Sequence, residues 1–395
     1  MNDGSTVLIL GGGTGGIATA SLLAESLKKP HRIVLVNRAL SFHLGTTKTW
    51  VMVGIEEPSN VTRSLAPLAQ RGVELVHAEI ERIDAAACAV ETSTGRFEGD
   101  YVVLALGAHL EMGAVPGLAE AAETFYTMQG AIRLREKIQQ ITGGDIVILI
   151  PKLPFMCPPG PYEGALLLHS FFRERGLGDK VRISVHTAEK LPMATAGPEA
   201  GRFIVSQLEK RGIAFHPNTS VARVDAGRRR VALEGGTEVP YDLLIAIPPH
   251  QAPRVVRESG LTNPAGWVPI DPDTLEVANS PAPGRLFALG DVTSVPLPGR
   301  FEPDVPLVLP KAGIFAEKEA RVIACRIAAA VQQERSEETF DGQGFCYIEI
   351  DRKLAARGDG RFFDKPHPTM SFKEPDAEMV ENKKNWVNEW YGKYL

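Results

Sequence analysis

The chain is 395 residues long, 44% hydrophobic and 23% charged, with a formal net charge of −5. That is enough for two or three ordinary domains with a sizeable core, and the acidic balance argues against a nucleic-acid partner, whose phosphates call for a basic face. Four cysteines, with no CxxC and no Cys/His cluster at zinc spacing, exclude a disulfide scaffold and argue against a bound metal.

The first residues are polar and the apolar run 7–10 is too short for a secretory signal, so none is expected. No apolar run approaches the roughly 18 residues that a membrane-spanning helix needs. Residues 6–10 read as a strand, followed by a glycine turn at 11–16, a helical run at 17–28 and a second buried-type strand at 32–36. This is how a parallel, doubly wound sheet begins. Short strands are expected at 73–77 and 88–92, and a strand ending on glycine at 101–107. A second cycle follows: a helix at 131–142, a strand at 143–150, a helix near 164–175 and a strand at 181–185. The stretch 241–247 repeats the pattern of 101–107, and 284–291 returns to the first half. After Arg335, proline, glycine and charge become dense and mark a C-terminal segment.

Gly11, Gly13 and Gly16 form GxGxxG at the first strand-to-helix junction. The first glycine permits the tight turn, the second lets a pyrophosphate reach the backbone, and the third lets helix and strand pack closely. Phosphates there meet the free N–H groups and positive dipole of a helix N-terminus. Where a carboxylate usually holds ribose hydroxyls, the second strand ends in Asn37 and then Arg38. Asn37 can still bond a hydroxyl, while Arg38 suits a 2′-phosphate and keeps NADPH open. The later run Leu286-Phe-Ala-Leu-Gly290-Asp291, with Ala105-Leu-Gly107, points instead to FAD. In flavoproteins with two dinucleotide folds, such a strand–Gly-Asp element brings a carboxylate to the ribityl chain.

The matching turn of the second half has no GxGxxG. It reads Pro151-Lys-Leu-Pro-Phe-Met-Cys-Pro-Pro-Gly-Pro-Tyr-Glu163, and proline fixes φ and removes N–H donors, so no pyrophosphate nest is expected. Cys157 occupies this loop, near a helix start whose dipole favours a thiolate; the alternative is a small buried hydrophobe. Glu163 is either an acid/base or a carboxylate that only caps the helix. Cys88, in a strand-like run, and Cys325, in an alanine-rich helix, read as core.

The segment Phe155-Met-Cys-Pro-Pro-Gly-Pro-Tyr-Glu-Gly-Ala165 closely resembles the one that holds a redox cysteine in sulfide:quinone oxidoreductases and flavocytochrome c sulfide dehydrogenases. Gly344-Phe-Cys-Tyr-Ile-Glu-Ile350 resembles the segment of its partner cysteine, and Val308-Leu-Pro-Lys-Ala-Gly313 is similar to a helix whose lysine lies against the flavin. Ala246-Ile-Pro-Pro-His250 and Gly260-Leu-Thr-Asn-Pro-Ala-Gly-Trp267 are also similar, so the resemblance covers nearly the whole chain in order. It implies that Cys157 and Cys346 bridge beside the flavin, directly or through sulfur. Hydrosulfide would attack one sulfur to leave a persulfide, and the other thiolate would pass an electron pair to the flavin. By the same resemblance Glu163 is the acid/base candidate and Lys311 the cation for reduced flavin. Two departures stand out. Phe125-Tyr-Thr-Met-Gln129 lacks the third cysteine that many sulfide:quinone oxidoreductases carry there. Ser41-Phe-His-Leu-Gly-Thr-Thr47 lacks the cysteine that binds flavin covalently in flavocytochrome c, so noncovalent FAD is expected.

The expected architecture is α/β: two Rossmann-like dinucleotide-binding domains of the glutathione-reductase type with a C-terminal segment. Residues 1–112 and 248–330 make the FAD domain, 113–247 the second domain with Cys157, and 331–395 the segment with Cys346. FAD contacts are expected from Gly11, Gly13, Gly16, Asn37, Arg38, Gly107, Gly290, Asp291 and Lys311, and chemistry from Cys157, Cys346, Glu163 and Lys311, with no metal. The partners expected are sulfide and an acceptor, quinone first and cytochrome c second. Trp386, Trp390, Tyr391 and Tyr394 fall at helical spacing beside Lys383, Lys384 and Lys393. That pattern suits a membrane interface, and equally a helix packed on the protein or on a second subunit. A peripheral-membrane or a cytoplasmic location, and a homo-oligomer, stay open. The rival functions are an NAD(P)H-dependent disulfide or quinone reductase, which the missing second GxGxxG disfavours, and a flavin-bound assembly or sensor protein without turnover.

Overall fold

A computed structural model describes residues 4–395. The chain opens with β1 (Thr6–Leu10), α1 (Thr14–Ser26), β2 (Arg32–Asn37), a short α2 (Thr47–Met52), β3 (Val73–His77) and β4 (Tyr101–Leu104). Then come α3 (Met128–Gln140), β5 (Gly144–Ile150), α4 (Gly160–Glu174), β6 (Val181–Thr187), β7 (Ala214–His216) and β8 (Leu243–Ala246). The last elements are β9 (Leu286–Ala288), α5 (Gly313–Val331), β10 (Gln343–Glu349), β11 (Ala355–Arg361), β12 (Thr369–Asp376) and α6 (Ala377–Tyr394).

Two parallel sheets organise these elements. The first has the order β9-β4-β1-β2-β3, with every neighbouring pair parallel. The second has the order β7-β6-β5-β8, again all parallel. Val7, Leu8, Ile9 and Leu10 of β1, and Ile148, Leu149 and Ile150 of β5, are wholly buried. Central parallel strands are covered on both faces, so continuous apolar runs rather than alternation are what they require. The C-terminal segment adds an antiparallel sheet, β10-β11-β12, and then α6.

Both helices at the strand-to-helix junctions start earlier than periodicity suggests. α1 begins at Thr14 rather than near residue 17, and α4 at Gly160 rather than near 164. Proline is tolerated in a first helical turn because the N–H it lacks would have no intrahelical partner. Cys88 lies not in a strand but in the turn before Ala89–Thr92, at φ +52° and with no exposed surface. Cys325 lies on α5 and is only half-buried, so it is less a core residue than its alanine-rich surroundings imply.

Candidate active site

The β1–α1 junction has the shape of an anion cradle. Gly11 sits at φ +104°, a turn that L side chains rarely adopt. A Cβ on Gly16 would lie 1.9 Å from the Gly11 carbonyl oxygen, so the helix can close on the strand only without one. At Gly13, by contrast, an added Cβ would meet nothing within 4 Å. The middle glycine therefore opens onto free space at the start of α1, where helix N–H groups attract a phosphate.

Asn37 is built into this cradle: its Oδ1 accepts from the Gly12 N–H at 2.9 Å and its Nδ2 donates to the Ala39 carbonyl at 2.7 Å. Arg38, one residue further on, is exposed and lines a cleft of about 520 Å³ with His109, Glu111, Thr127 and Arg133. Gly107 follows β4 at φ +64°, with open space where a side chain would be. Gly290, at the end of β9, donates its N–H to Glu319 Oε2 at 2.6 Å and so fixes the turn that presents Asp291. Among the described residues, nothing hydrogen-bonds the Asp291 carboxylate. Burial raises its pKa, against the pull of Lys311 and Lys48. A desolvated carboxylate free to accept hydroxyl donors, beyond a glycine cradle, fits the ribityl and pyrophosphate parts of FAD.

Lys311 is not on a helix, as its resemblance to family members implies, but in the loop before α5. Its ammonium donates to the carbonyls of Asp291 at 2.7 Å and Thr293 at 2.9 Å and lies 3.5 Å from the centre of the Trp267 ring. Desolvation brings it down to about 8. Lys48 of α2, which no motif singles out, converges on the same space: it donates to the Tyr126 carbonyl at 2.8 Å. It too is brought down to about 8 by burial, with Cys157 and Asp291 opposing. His250 has one ring nitrogen, Nδ1, at 2.9 Å from the Pro248 carbonyl, while the other is buried without a partner among the described residues.

Cys157 hangs in the loop between β5 and α4 at φ +52°. Its N–H donates to the Lys311 carbonyl at 2.7 Å and its carbonyl accepts from Gly160 N–H at 2.8 Å and from the Tyr126 hydroxyl at 3.2 Å. One hydrogen bond thus ties the cysteine loop to the lysine loop. Cys346 comes from β10, which pairs with β11 through Cys346 opposite Gly358. Both cysteines are free thiols with some accessible surface, yet both lie deep among protein atoms. Desolvation pushes each up to about 12; the charge of Glu163 adds to both, and that of Cys157 adds to Cys346. The helix start does not make Cys157 a thiolate: the Gly160 N–H and the cations Lys383 and Lys48 act in that direction, and burial outweighs them.

Glu163, in the first turn of α4, is not a helix cap. Its Oε1 accepts from the Glu349 N–H at 2.9 Å and from Lys383 Nζ at 2.8 Å. The structure therefore brings Cys157, Cys346 and Glu163 together, with Lys311 and Asp291 linked to them through the Cys157–Lys311 hydrogen bond. Sequence reasoning missed Lys48, Tyr126 and Lys383. Tyr126 lies in the stretch that lacks the family's third cysteine, and Lys383 reads only as one of three lysines beside the aromatic residues of α6.

The aromatic face of α6 is turned inward. Trp390, Tyr391 and Tyr394 are buried, and the Tyr391 hydroxyl accepts from Leu44 N–H and donates to the Val61 carbonyl. The pattern that suited either a membrane or a protein surface is spent on protein. No described helix is long and apolar enough to cross a membrane.

Fold and cradle define a flavoprotein with two dinucleotide-binding folds, with FAD as its cofactor. Residues 5–149 match the pyridine nucleotide-disulphide oxidoreductase family, and residues 131–248 match the central part of the flavoprotein chain of sulfide dehydrogenase (flavocytochrome c). The sulfide-quinone reductase of Aquifex aeolicus is 30% identical over 331 residues, 81% of this chain and 75% of that one. The mitochondrial sulfide:quinone oxidoreductase of Mus musculus is 24% identical over 304 residues, 73% of this chain and 66% of that one. The crystal structure of the Aquifex aeolicus sulfide:quinone oxidoreductase superposes with a TM-score of 0.87 at 24% identity, over 99% of this chain and 91% of that one. The chain belongs to the sulfide:quinone oxidoreductase family.

Proposed function

We propose that the protein oxidises sulfide through the Cys157/Cys346 pair and passes the electrons by way of noncovalent FAD to quinone. The observation that carries this reading is the meeting of two largely buried thiols, one from the loop before α4 and one from β10, with Glu163 near both and the Lys311–Asp291 turn hydrogen-bonded to the Cys157 loop. Gly11, Gly13, Gly16, Gly107, Gly290 and Asp291 would hold the dinucleotide, Asn37 shaping the cradle and Arg38 standing at its adenosine end. FAD, when bound, supplies a two-electron acceptor that reoxidises the cysteine pair and hands electrons onward.

The chain's own residues account for the sulfur steps. In the bridged pair, hydrosulfide attacks one sulfur; the old S–S bond breaks, a new one forms, and the other cysteine leaves as a thiolate. Desolvation makes that thiolate costly, so its electron pair is readily given up, and Lys48 and Lys311 place positive charge where negative charge collects. Glu163 takes the proton that sulfur releases as it is oxidised. The second half contributes no pyrophosphate turn, so nicotinamide nucleotides are poor donors here.

Cytochrome c is the second acceptor to consider, because residues 131–248 match the flavocytochrome c flavoprotein. Anaerobic titration with sulfide, followed by addition of quinone or of cytochrome c, decides: rapid flavin bleaching by sulfide and reoxidation by quinone are expected. No bleaching would sink the sulfide reading, and reoxidation by cytochrome c alone would replace the acceptor. Quinone is lipid-soluble, so the protein is expected to work at a membrane surface. Leu153, Val305 and Val308, exposed on the loops flanking the Cys157–Lys311 contact, are the apolar residues offered there; flotation with liposomes tests this.

A further inference from the structure

Beside the two thiols lies a buried charge cluster that no motif announces. The side chain of Lys383, on α6, is 2% exposed, and those of Glu163 and Glu349 are 3% exposed. Lys383 Nζ donates to Glu163 Oε1 at 2.8 Å and to Glu349 Oε2 at 2.7 Å. The Glu349 N–H donates to the same Glu163 oxygen at 2.9 Å, and Trp50 Nε1 donates to Glu349 Oε1 at 2.6 Å. Two carboxylates thus share one ammonium. Among the described residues, Glu163 Oε2 receives no hydrogen bond, while both donors hold Oε1.

We propose that Lys383 is a positioning residue for the sulfur chemistry: with the Glu349 N–H it locks Oε1 of Glu163, leaving Oε2 as the atom that takes a proton beside Cys157 and Cys346. The proposal rests on the reading of Glu163 as proton acceptor. A buried ion pair adds little net stability over apolar packing, so its worth lies in what it orients. The groups facing Glu163 are Lys383 from α6, Glu349 and Cys346 from β10, Cys157 from the loop before α4 and Tyr126 from the turn before α3, with Lys48 acting on Cys157. Burial alone would lower the Lys383 ammonium, but the two carboxylates outweigh it, so Lys383 keeps its charge. Burial raises Glu163, Lys383 restrains it and Glu349 adds to the rise. The accepting form of Glu163 is lost as pH falls through its folded pKa, which burial raises.

The test is the pH profile of flavin reduction by sulfide, measured anaerobically in the FAD-loaded enzyme, with FAD content and thermal midpoint recorded for each variant. Sulfide's own ionisation is common to all of them. Lys383→Met should move the acid limb up by about one pH unit or more, at least about a fivefold loss at the parent's half-maximal pH, and Lys383→Arg should restore most of it. Glu349→Gln keeps Lys383 on Glu163 alone and should move the limb down; it serves also if Lys383→Met does not fold. Glu163→Gln should remove the limb. A Lys383→Met enzyme slowed equally at every pH, or a Glu349→Gln enzyme with its limb unmoved, overturns the positioning role. A Glu163→Gln enzyme with the parent's rate and limb overturns instead the reading of Glu163 on which it rests.

Discussion

The β1–α1 and β5–α4 junctions are the same piece of topology built with opposite backbone chemistry. In the first, glycines expose N–H groups and leave open space at Gly13. In the second, Pro158, Pro159 and Pro161 remove donors, and the N–H that Cys157 retains is consumed by the Lys311 carbonyl at 2.7 Å. One junction can cradle a phosphate; the other holds a thiol rigidly where a nucleotide would otherwise sit. A doubly wound fold thus fixes where a ligand meets the sheet, and the backbone chemistry of the junction loop decides whether that ligand can be a dinucleotide.

The sharpest way to break this contrast is to remove the thiol from the proline loop. Cys157→Ser, like Cys346→Ser on β10, is expected to keep FAD, since neither residue lies in the glycine cradle, and to slow sulfide-dependent flavin reduction on the order of a thousandfold or more. Parent-like stopped-flow rates in both variants would end the paired-thiol mechanism.

The complementary change fills the glycine cradle. Gly13 has extended backbone, φ −85° and ψ −170°, and open space around it. Gly13→Val should therefore fold with a near-parent circular dichroism melt but purify colourless, having lost roughly a hundredfold or more in FAD affinity, about 3 kcal/mol. Gly16→Ala should instead damage folding, because its Cβ meets the Gly11 carbonyl. Equal flavin content in Gly13→Val and parent would show that the phosphates do not approach there.

Nicotinamide nucleotides sharpen the contrast further. NADH and NADPH should reduce the flavin far more slowly than sulfide at equal concentration, because the proline loop offers no nest of N–H groups. Fast anaerobic bleaching by either would mean that the second half binds nucleotide after all.

The smallest effect concerns Glu189, behind the proline junction. It accepts from the Tyr162 hydroxyl and from Met193 N–H at 3.2 Å, and burial pushes it up to about 7. Its folded pKa lies above its unfolded value, so the stability it confers is full below the ordinary glutamate pKa and is lost as pH rises through about 7. Glu189→Gln should flatten the fall in thermal midpoint between about pH 5 and 8, a difference of about 2–3 kcal/mol. An unchanged slope would assign that fall to other groups.

Much of this was legible in the chain itself. The apolar runs of β1, β2 and β5 announce parallel strands because such strands are covered on both faces, and GxGxxG announces its turn because only glycine meets those steric limits. Cys157 and Cys346 could be paired by resemblance, since their neighbouring residues are specific. Lys48 and Lys383 could not: an isolated lysine has the same local signature whether solvated or buried, and its partners come from other elements of the fold, as Tyr126 does for Lys48 and Glu163 for Lys383.

The sequence by itself determined the two doubly wound halves, the glycine cradle and the proline replacement of its counterpart, because each of these depends on backbone limits set within a few residues. Tertiary structure alone decided the ionisation and grouping of the side chains. It took burial to push both thiols up to about 12, that of Cys157 against the helix start. It took the return of the chain through β10 and α6 to bring Glu349 and Lys383 onto Glu163 and to turn the aromatic face of α6 inward. Desolvation and charge pairing are properties of what surrounds an atom in space, and no local pattern encodes them.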